Sequence, residues 1–433
     1  MDPVSVGILG ILVLVLLFLL RMPIAFTMAF VGFLGFSYLG SPKTGLRLLA
    51  RDIFEQFSSY PLSAIPMFIL MGSFAFASGI GKRLYDAAYT VLGNLRGGLT
   101  IATCIACGGF AAICGSTAAT AATIGKIALP EMKRFDYDDT LATGCVASAG
   151  TLGILIPPST IFLVYGIITE QSIGKLFVAG IIPGIILTGL FVLTVSIICY
   201  RNPSLGPPGA STTWNVKGKA LLGIIEALCL FGLVIGGLFF GWFTPTQAGG
   251  IGAAGALLIG LVRRELRWKT FLESTKDALR TSCMVLCIIA CAIVFGHFMA
   301  VSRIPFVLAD WVEHLPVSTS VIMGVIIFIY IIGGCFMDAM ALVVLTVPVI
   351  FPVIMRLGFD PIWFGVIIVL VSEAGVITPP VGVNVYVIKG IAPEVPLETI
   401  FKGIFPFLIA IAINILILIA FPQLALFLPN LVR

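Results

Sequence analysis

Two short polar stretches in an otherwise apolar chain bring together residue types that bind hard cations. The first is CGSTAAT at 114–120, whose turn residue and hydroxyls are Gly115, Ser116, Thr117 and Thr120. The second is GGCFMDAM at 333–340, with Met337 and Asp338 in the equivalent place. Hydroxyl, carbonyl and carboxylate oxygens are the ligands that hard cations prefer. These stretches therefore predict cation binding, with Asp338 as the strongest single candidate.

A second pair of stretches places two adjacent prolines inside apolar runs. They are SAGTLGILIPPST at 148–160 and SEAGVITPPVGVN at 372–384. Proline removes a backbone donor and its ring clashes with the preceding turn, so each stretch predicts a broken helix. The half-helix that ends near the break offers free carbonyls to a cation. The half-helix that follows begins with unpaired N–H groups and a positive dipole end, which suit an anion.

These breaks extend the predicted cation site and add a predicted substrate site. The cation-binding candidates here are Thr151, Gly153, Glu373, Gly375 and Thr378. The substrate-binding candidates are Thr120, Pro157, Pro158, Ser159, Pro379, Pro380 and Asn384. Glu373 has three open roles: cation ligand, proton carrier or cap of a freed helix end. No Lys or Arg occurs in the four stretches, so an anion would be held by dipoles, hydroxyls and co-bound cations, with Na⁺ expected and proton coupling left open.

The composition indicates a polytopic membrane protein. Of 433 residues, 59% are hydrophobic and 10% are charged, whereas a soluble domain carries roughly a quarter charged residues. A helix needs ~20 apolar residues to span a bilayer, and the first such run is expected to be a retained span, because no A-x-A cleavage site follows it. The candidate runs lie near 5–20, 22–40, 61–79, 174–200, 219–241, 245–262, 281–301 and 397–428. The net charge of +5 is small for this length, so the expected partner is the lipid bilayer and not nucleic acid.

The two halves of the chain repeat at one fixed offset. Adding 222 to a residue number carries Pro157 to Pro379 and Pro158 to Pro380. The same offset relates Pro23 to Pro245, Pro130 to Pro352, Asp138 to Asp360, Gly153 to Gly375, Ser116 to Asp338 and Thr151 to Glu373. Repeated matches at one offset, most of them prolines, indicate a duplication. The predicted units are 1–200, a cytoplasmic linker at 201–219, and 220–433.

Positive charge then predicts the orientation, since short cytoplasmic loops collect Lys and Arg. The basic loop at 263–280 and the linker are expected inside, and five crossings per half place both termini outside, in the periplasm. The cations Lys43, Arg47 and Arg51 then lie outside and violate the rule. They alternate with Asp52 and Glu55, so an interfacial helix lying flat on the membrane is expected.

An odd number of crossings makes the two repeats inverted, which is typical of secondary transporters with a midplane site. Each repeat is expected to contain full spans, one re-entrant hairpin and one Pro-broken helix. The hairpins are predicted at about 98–130 and 317–356, because their arms are short for a bilayer span. The broken helices are predicted at about 139–168 and 361–391. The fold class is therefore an all-α polytopic membrane protein.

The sequence contains few signs of an enzyme active site or of a metal site built from Cys and His. Cys104 and Cys107 form an isolated C-x-x-C in an apolar run, and the ten cysteines show no disulfide framework. The two histidines, His297 and His314, match no metal-ligand spacing. No H-E-x-x-H or G-x-x-x-x-G-K-[ST] motif occurs, which speaks against an intramembrane protease and an ATP-driven pump. The chain is not expected to be an enzyme.

Four motifs together resemble a known family. GSTAAT, GTLGILIPPS, GCFMDAMALVVLTVPVIFP and GVITPPVGVNVYV are similar to the large membrane subunit of tripartite ATP-independent periplasmic (TRAP) transporters, the DctM-like family. The resemblance implies an elevator-type importer of the bacterial inner membrane in which hairpins and broken helices move within a scaffold. It implies sodium coupling, a small four-helix membrane subunit as a separate chain, and a periplasmic substrate-binding protein. It also implies an organic acid anion, such as a C4-dicarboxylate or sialic acid, as substrate.

One alternative remains open at the level of sequence. A self-sufficient Na⁺ or H⁺ symporter for di- or tricarboxylates can share an inverted-repeat architecture and needs no binding protein. Such symporters commonly carry S-N-T at their hairpin tips. Here the tips read Gly115-Ser116-Thr117 and Met337-Asp338-Ala339, which favours the tripartite class.

Overall fold

The computed structural model describes residues 2–209 and 212–431. Over those residues every regular element is helical, which confirms the predicted all-α class. The helices of the first half are α1 (Pro3–Leu19), α2 (Ile24–Leu39), α3 (Pro42–Ser58), α4 (Ala64–Ala77), α5 (Ile80–Leu92), α6 (Gly98–Cys114), α7 (Thr117–Arg134), α8 (Asp139–Ala149), α9 (Leu152–Leu155), α10 (Thr160–Ile168) and α11 (Ile173–Arg201).

The second half is also built of helices. Its elements are α12 (Trp214–Leu221), α13 (Ile225–Phe239), α14 (Pro245–Val262), α15 (Trp268–Ser302), α16 (Ile304–Glu313), α17 (Thr319–Phe336), α18 (Ala339–Arg356), α19 (Pro361–Ile377), α20 (Val383–Ile391), α21 (Leu397–Ala420) and α22 (Gln423–Leu426). Among the described residues, eight helices or broken helices are long and apolar enough to cross a membrane. A ninth is added if the bent pair α3 and α4 is one span.

Helices α3 and α4 differ from their counterpart in the second half. The offset of 222 carries both onto the single α15, an uninterrupted run of 35 residues. In the first half the run is interrupted between Ser58 and Pro61, and the two parts are bent by 58°. Pro61 lacks the N–H that a continuous helix would need there. The basic segment that violates the charge rule therefore forms a separate amphipathic helix.

Two helix pairs, each joined by two residues, occupy the segments where hairpins are predicted, and α17 and α18 are each long and apolar enough to cross a membrane. Gly115 and Ser116 separate α6 from α7, and Met337 and Asp338 separate α17 from α18. At ~1.5 Å per residue, each arm of 17 or 18 residues is about 26 Å long. The two joints lie within the polar stretches at 114–120 and 333–340.

After each break, the following half-helix packs against the other half of the protein. The half-helix α20 lies on α7 and α8, which belong to the first half. The half-helix α10 lies on α18 and α19, which belong to the second. Helix α21 also packs extensively on α8. This crossed arrangement gathers the two tips and the two breaks into one unit.

Candidate functional site

The first hairpin tip lies directly against the first helix break. The hydroxyl of Thr160 donates a hydrogen bond to the carbonyl of Gly115, at 3.0 Å. Gly115 has φ +67°, a left-handed conformation that glycine adopts at low cost. On the other side of the break, a Cβ added to Gly153 would lie 2.4 Å from the Ser116 carbonyl oxygen. The tip backbone therefore runs between the two sides of the break.

The second tip meets the second break in a related way. The backbone N–H of Val381 donates to the carbonyl of Cys335, at 3.2 Å. Gly334 and Gly375 approach so closely that a Cβ on Gly375 would lie 2.6 Å from the Gly334 Cα. Asp338 caps α18, because its Oδ2 accepts from the N–H of Met340 at 3.0 Å.

Two long-range hydrogen bonds tie the broken helices together. Asn384, on α20, donates from Nδ2 to the carbonyl of Ala147, on α8, at 3.2 Å. Tyr165, on α10, donates its hydroxyl to the carbonyl of Pro361 at the start of α19, at 2.6 Å. Each half-helix after a break is thus bonded to the half-helix before the other break. The two predicted breaks form one structural unit.

Several oxygens of this unit are buried with no hydrogen-bond partner among the described residues. Both carboxylate oxygens of Glu373 are in this state, and the residue is 0% exposed. The others in the unit are Thr120 Oγ1, Ser148 Oγ, Ser372 Oγ and Asn384 Oδ1. Burying a polar oxygen without a partner costs several kcal/mol. Oxygen atoms held in this state are suited to a cation that supplies the missing interaction.

The ligand chemistry favours a hard cation. Within the described residues, no group of three or more His, Cys, Asp or Glu side chains could hold a metal ion. The available donors are hydroxyls, backbone carbonyls and single carboxylates, which fit an ion of the sodium type. Thr151 and Thr378 already donate to Ser148 and Ala374 carbonyls, at 2.7 and 2.6 Å.

The glycines of the two breaks do not themselves end their helices. Helix α9 continues to Leu155 and α19 continues to Ile377, two residues beyond Gly153 and Gly375 in each case. Both glycines lie where the neighbouring tip helix comes closest. They are close-packing positions, and the helix ends that the sequence places near them lie slightly further along the chain.

The substrate candidates are divided between two environments. Pro157, Pro158 and Ser159 are buried, and Ser159 caps α10 by accepting from the N–H of Phe162 at 3.3 Å. Pro379 and Pro380 are exposed. The Pro-Pro motif is therefore buried in the first half and exposed in the second.

The structure adds four residues that sequence reasoning did not assign. Thr160 and Ser148 belong to the first break stretch, and Ser372 begins the second, so each carried a usable signal as a hydroxyl in a polar motif. Tyr165 lies outside the motifs in an apolar run. Only the packing of α10 on α19 identifies it.

At the far ends of the same helices, an ion pair joins the two halves. Lys133 Nζ donates to Glu394 Oε1 at 2.8 Å, beside a cavity of about 260 Å³ between α7, α8 and the end of α20. The hydrogen bond from Lys133 lowers the pKa of the Glu394 carboxyl. Both side chains are exposed, so the pair contributes little stability.

Replacing Glu373 with Gln tests whether its buried carboxyl serves function. The amide keeps the shape and cannot ionise, so the thermal midpoint is expected to stay within roughly 2 °C of the parent value. Ion-dependent uptake is expected to fall about tenfold or more, as for a loss of ~1.4 kcal/mol of binding. The matched control is Glu273→Gln at an exposed position of α15. A lower midpoint with normal uptake would assign Glu373 a structural role only.

Two solved structures have a similar fold. The fold resembles the Alcanivorax borkumensis YdaH transporter, with a TM-score of 0.61 at 15% identity over 89% of this chain and 88% of that one. It also resembles Neisseria gonorrhoeae MtrF, described as an antimetabolite efflux pump, with a TM-score of 0.56 at 14% identity over 86% of this chain and 84% of that one. These two likenesses concern the fold, which this chain shares with both solved structures along most of its length.

The sequence then places the chain in a family. Residues 11–424 match the family described as "Tripartite ATP-independent periplasmic transporter, DctM component", and the protein belongs to that family. It is similar to the C4-dicarboxylate TRAP transporter large permease protein DctM of Pseudomonas aeruginosa, at 39% identity over 90% of this chain and 91% of the relative. It is also similar to the sialic acid large permease protein SiaM of Vibrio cholerae, at 31% identity over 95% of each chain.

A further relative has a longer chain. The isethionate permease protein DctMQ of Oleidesulfovibrio alaskensis is 37% identical over 86% of this chain and 58% of its own length. The matched family and relatives are transporter subunits, which confirms the expected TRAP family and the expectation of a non-enzyme. The protein is thus a multi-pass large permease subunit of a bacterial transporter family.

Proposed function

We propose that the chain carries out sodium-coupled uptake of an organic acid anion that a periplasmic binding protein delivers. The observation that carries this proposal is the unit formed by the two tips and two breaks, tied by the bond from Asn384 to Ala147. That unit combines buried oxygens without partners and helix N-termini, and it contains no Lys or Arg in its four stretches. It offers ligands for a cation and for an anion side by side.

The cation is held by the first-half donors around Ser116 and Gly153 and by the second-half donors around Asp338, Glu373 and Gly375. The second half carries both carboxylates, so the two cation sites are unequal. Bound cations supply the positive charge that the side chains lack. The anion then binds near the starts of α10 and α20, where backbone N–H groups and the helix dipole favour negative charge.

The hairpins and broken helices move together as an elevator-type domain within the scaffold of the other helices. The reciprocal packing of α10 and α20 supports a rigid unit, and the repeat offset supports two inverted repeats. Pairs of inverted repeats with broken helices are typical of transporters that alternate access around a midplane site.

The substrate class follows from the names of the relatives. These name C4-dicarboxylates, sialic acid, isethionate and 2,3-diketo-L-gulonate, all of which are acid anions. The small four-helix membrane subunit is proposed as a separate chain, because these relatives are named large permease proteins. Both termini face the periplasm, as the distribution of Lys and Arg indicates.

Proteoliposomes in which the sodium and pH gradients are set independently test the coupling. Uptake is expected to follow the inward sodium gradient at constant pH on both sides. An uptake that follows the proton gradient and ignores sodium would contradict sodium coupling and would direct attention to titration of Asp338 and Glu373.

A further inference from the structure

We infer that α3 is a binding surface for an anionic phospholipid headgroup such as phosphatidylglycerol. Helix α3 lies far in sequence from the tips and breaks, and lipid binding there is independent of the proposed substrate and ion. It rests on how α3 is held and on what it presents outward.

The inner face of α3 is fixed by a hydrogen bond to a buried acidic side chain. Asp52 is 3% exposed, and its Oδ2 lies 2.7 Å from Nδ1 of His297 on α15. Gly45, seven residues earlier on the same face, is buried against α2, where a Cβ would clash with Ser37. These two contacts set the rotation of the helix about its axis. The opposite face must therefore point away from the protein.

That outward face combines apolar and basic side chains. Leu46, Phe54 and Phe57 are 58%, 73% and 59% exposed. Lys43 and Arg47 are also exposed, follow each other by one helical turn, and form no ion pair among the described residues. A helix of this kind places its apolar side chains at the boundary of the acyl chains and its cations among the headgroups.

The positive charge of the outward face of α3 favours an anionic lipid headgroup as its binding partner. Arg51 continues the same basic row and forms a pair with Glu55 at 2.7 Å, which leaves the row with a net positive charge. Cationic side chains next to inserted aromatic ones attract anionic lipid headgroups. The 58° bend at Ser58 to Pro61 turns α3 away from the direction of α4, so that its outward face can lie along a membrane surface. With both termini in the periplasm, these basic residues lie on the side of the membrane where Lys and Arg are disfavoured. Contact with anionic headgroups accounts for their presence there.

Fluorescence quenching locates this face. The Phe54→Trp variant of the full chain is placed in vesicles that contain brominated phosphatidylglycerol or brominated phosphatidylcholine, and the parent protein is subtracted. We expect added quenching that is stronger with the brominated anionic lipid. No added quenching, or equal quenching by both lipids, would overturn the inference. Loss of quenching when the small membrane subunit is added would show that this subunit covers α3, and would also overturn it.

A charge-matched pair of variants tests the basic row. Native mass spectrometry of the solubilised full chain with phosphatidylglycerol compares K43Q/R47Q/R51Q with R201Q/K219Q/R264Q, which removes three exposed charges elsewhere. We expect about tenfold weaker binding for the α3 variant and a change of less than about twofold for the control. Equal effects of the two variants would contradict a site on α3.

Discussion

Replacing Asp338 with Asn is expected to abolish sodium-dependent uptake while leaving the protein expressed and folded. The carboxylate at the second tip is the strongest charge available to a cation there, and neutralising it removes that attraction. Asn caps helices about as well as Asp, so the bond from the Met340 N–H can be kept and α18 still starts at its place. The measurement is initial uptake in proteoliposomes as a function of sodium concentration.

Asp360→Asn is the matched control for this variant. Asp360 also caps a helix, accepting from the N–H groups of Ile362 and Trp363 at 2.8 and 2.9 Å. The control changes the same charge at the same kind of helix position, outside the proposed cation site. We expect it to keep sodium dependence. Wild-type sodium dependence in Asp338→Asn would remove Asp338 from the cation site.

Replacing Gly153 with Ala is expected to separate the first tip from its break. The new Cβ would lie 2.4 Å from the Ser116 carbonyl oxygen and 2.8 Å from Thr120 Oγ1, distances at which something must move. Overpacking of this kind costs about 1–3 kcal/mol. Because Ser116 is a proposed cation ligand, the sodium concentration for half-maximal uptake is expected to rise about tenfold or more.

Gly189→Ala provides the control for added volume in a membrane helix. Gly189 lies on α11, and a Cβ added there would have no atom of the described residues within 4 Å. This variant is expected to keep the parent's sodium dependence and thermal midpoint. Sodium dependence unchanged in Gly153→Ala would show that the close contact at Ser116 is not part of the cation site.

The sequence predicts the elements of the site because their causes are local. Pro157 and Pro158 interrupt a helix through their own ring geometry, and a left-handed residue is readily supplied at Gly115. The offset of 222 then carries each conclusion to the second half. For the same reason the predicted hairpin tips coincide with the joints between α6 and α7 and between α17 and α18.

The contacts between these elements depend on packing, which one sequence does not predict. The bond from Asn384 to Ala147 joins residues far apart in the chain, and nothing local to Asn384 identifies its partner. The two Pro-Pro motifs are almost identical, yet Pro158 is buried and Pro380 is exposed, because different neighbours surround them. The position of Glu373 beside a break makes it a candidate in the sequence, but its complete burial follows only from the fold.

The charge pattern is informative in a different way. Lys43 and Arg47 conflict with the orientation that the other basic loops indicate, and this conflict by itself predicts an amphipathic helix. The structure provides the separate helix α3 and the bend that precedes α4. The bond between Asp52 and His297 that fixes its rotation links two distant segments, so it depends on the fold.

Dependence of uptake on a binding protein tests the central claim most directly. The substrate is first identified as the ligand that co-purifies with the partner binding protein. The chain and its small membrane subunit are then reconstituted in proteoliposomes with an inward sodium gradient. We predict uptake when the loaded binding protein is outside and background levels when the bare substrate is supplied at the same concentration. Equal uptake with and without the binding protein would contradict the proposed tripartite mechanism.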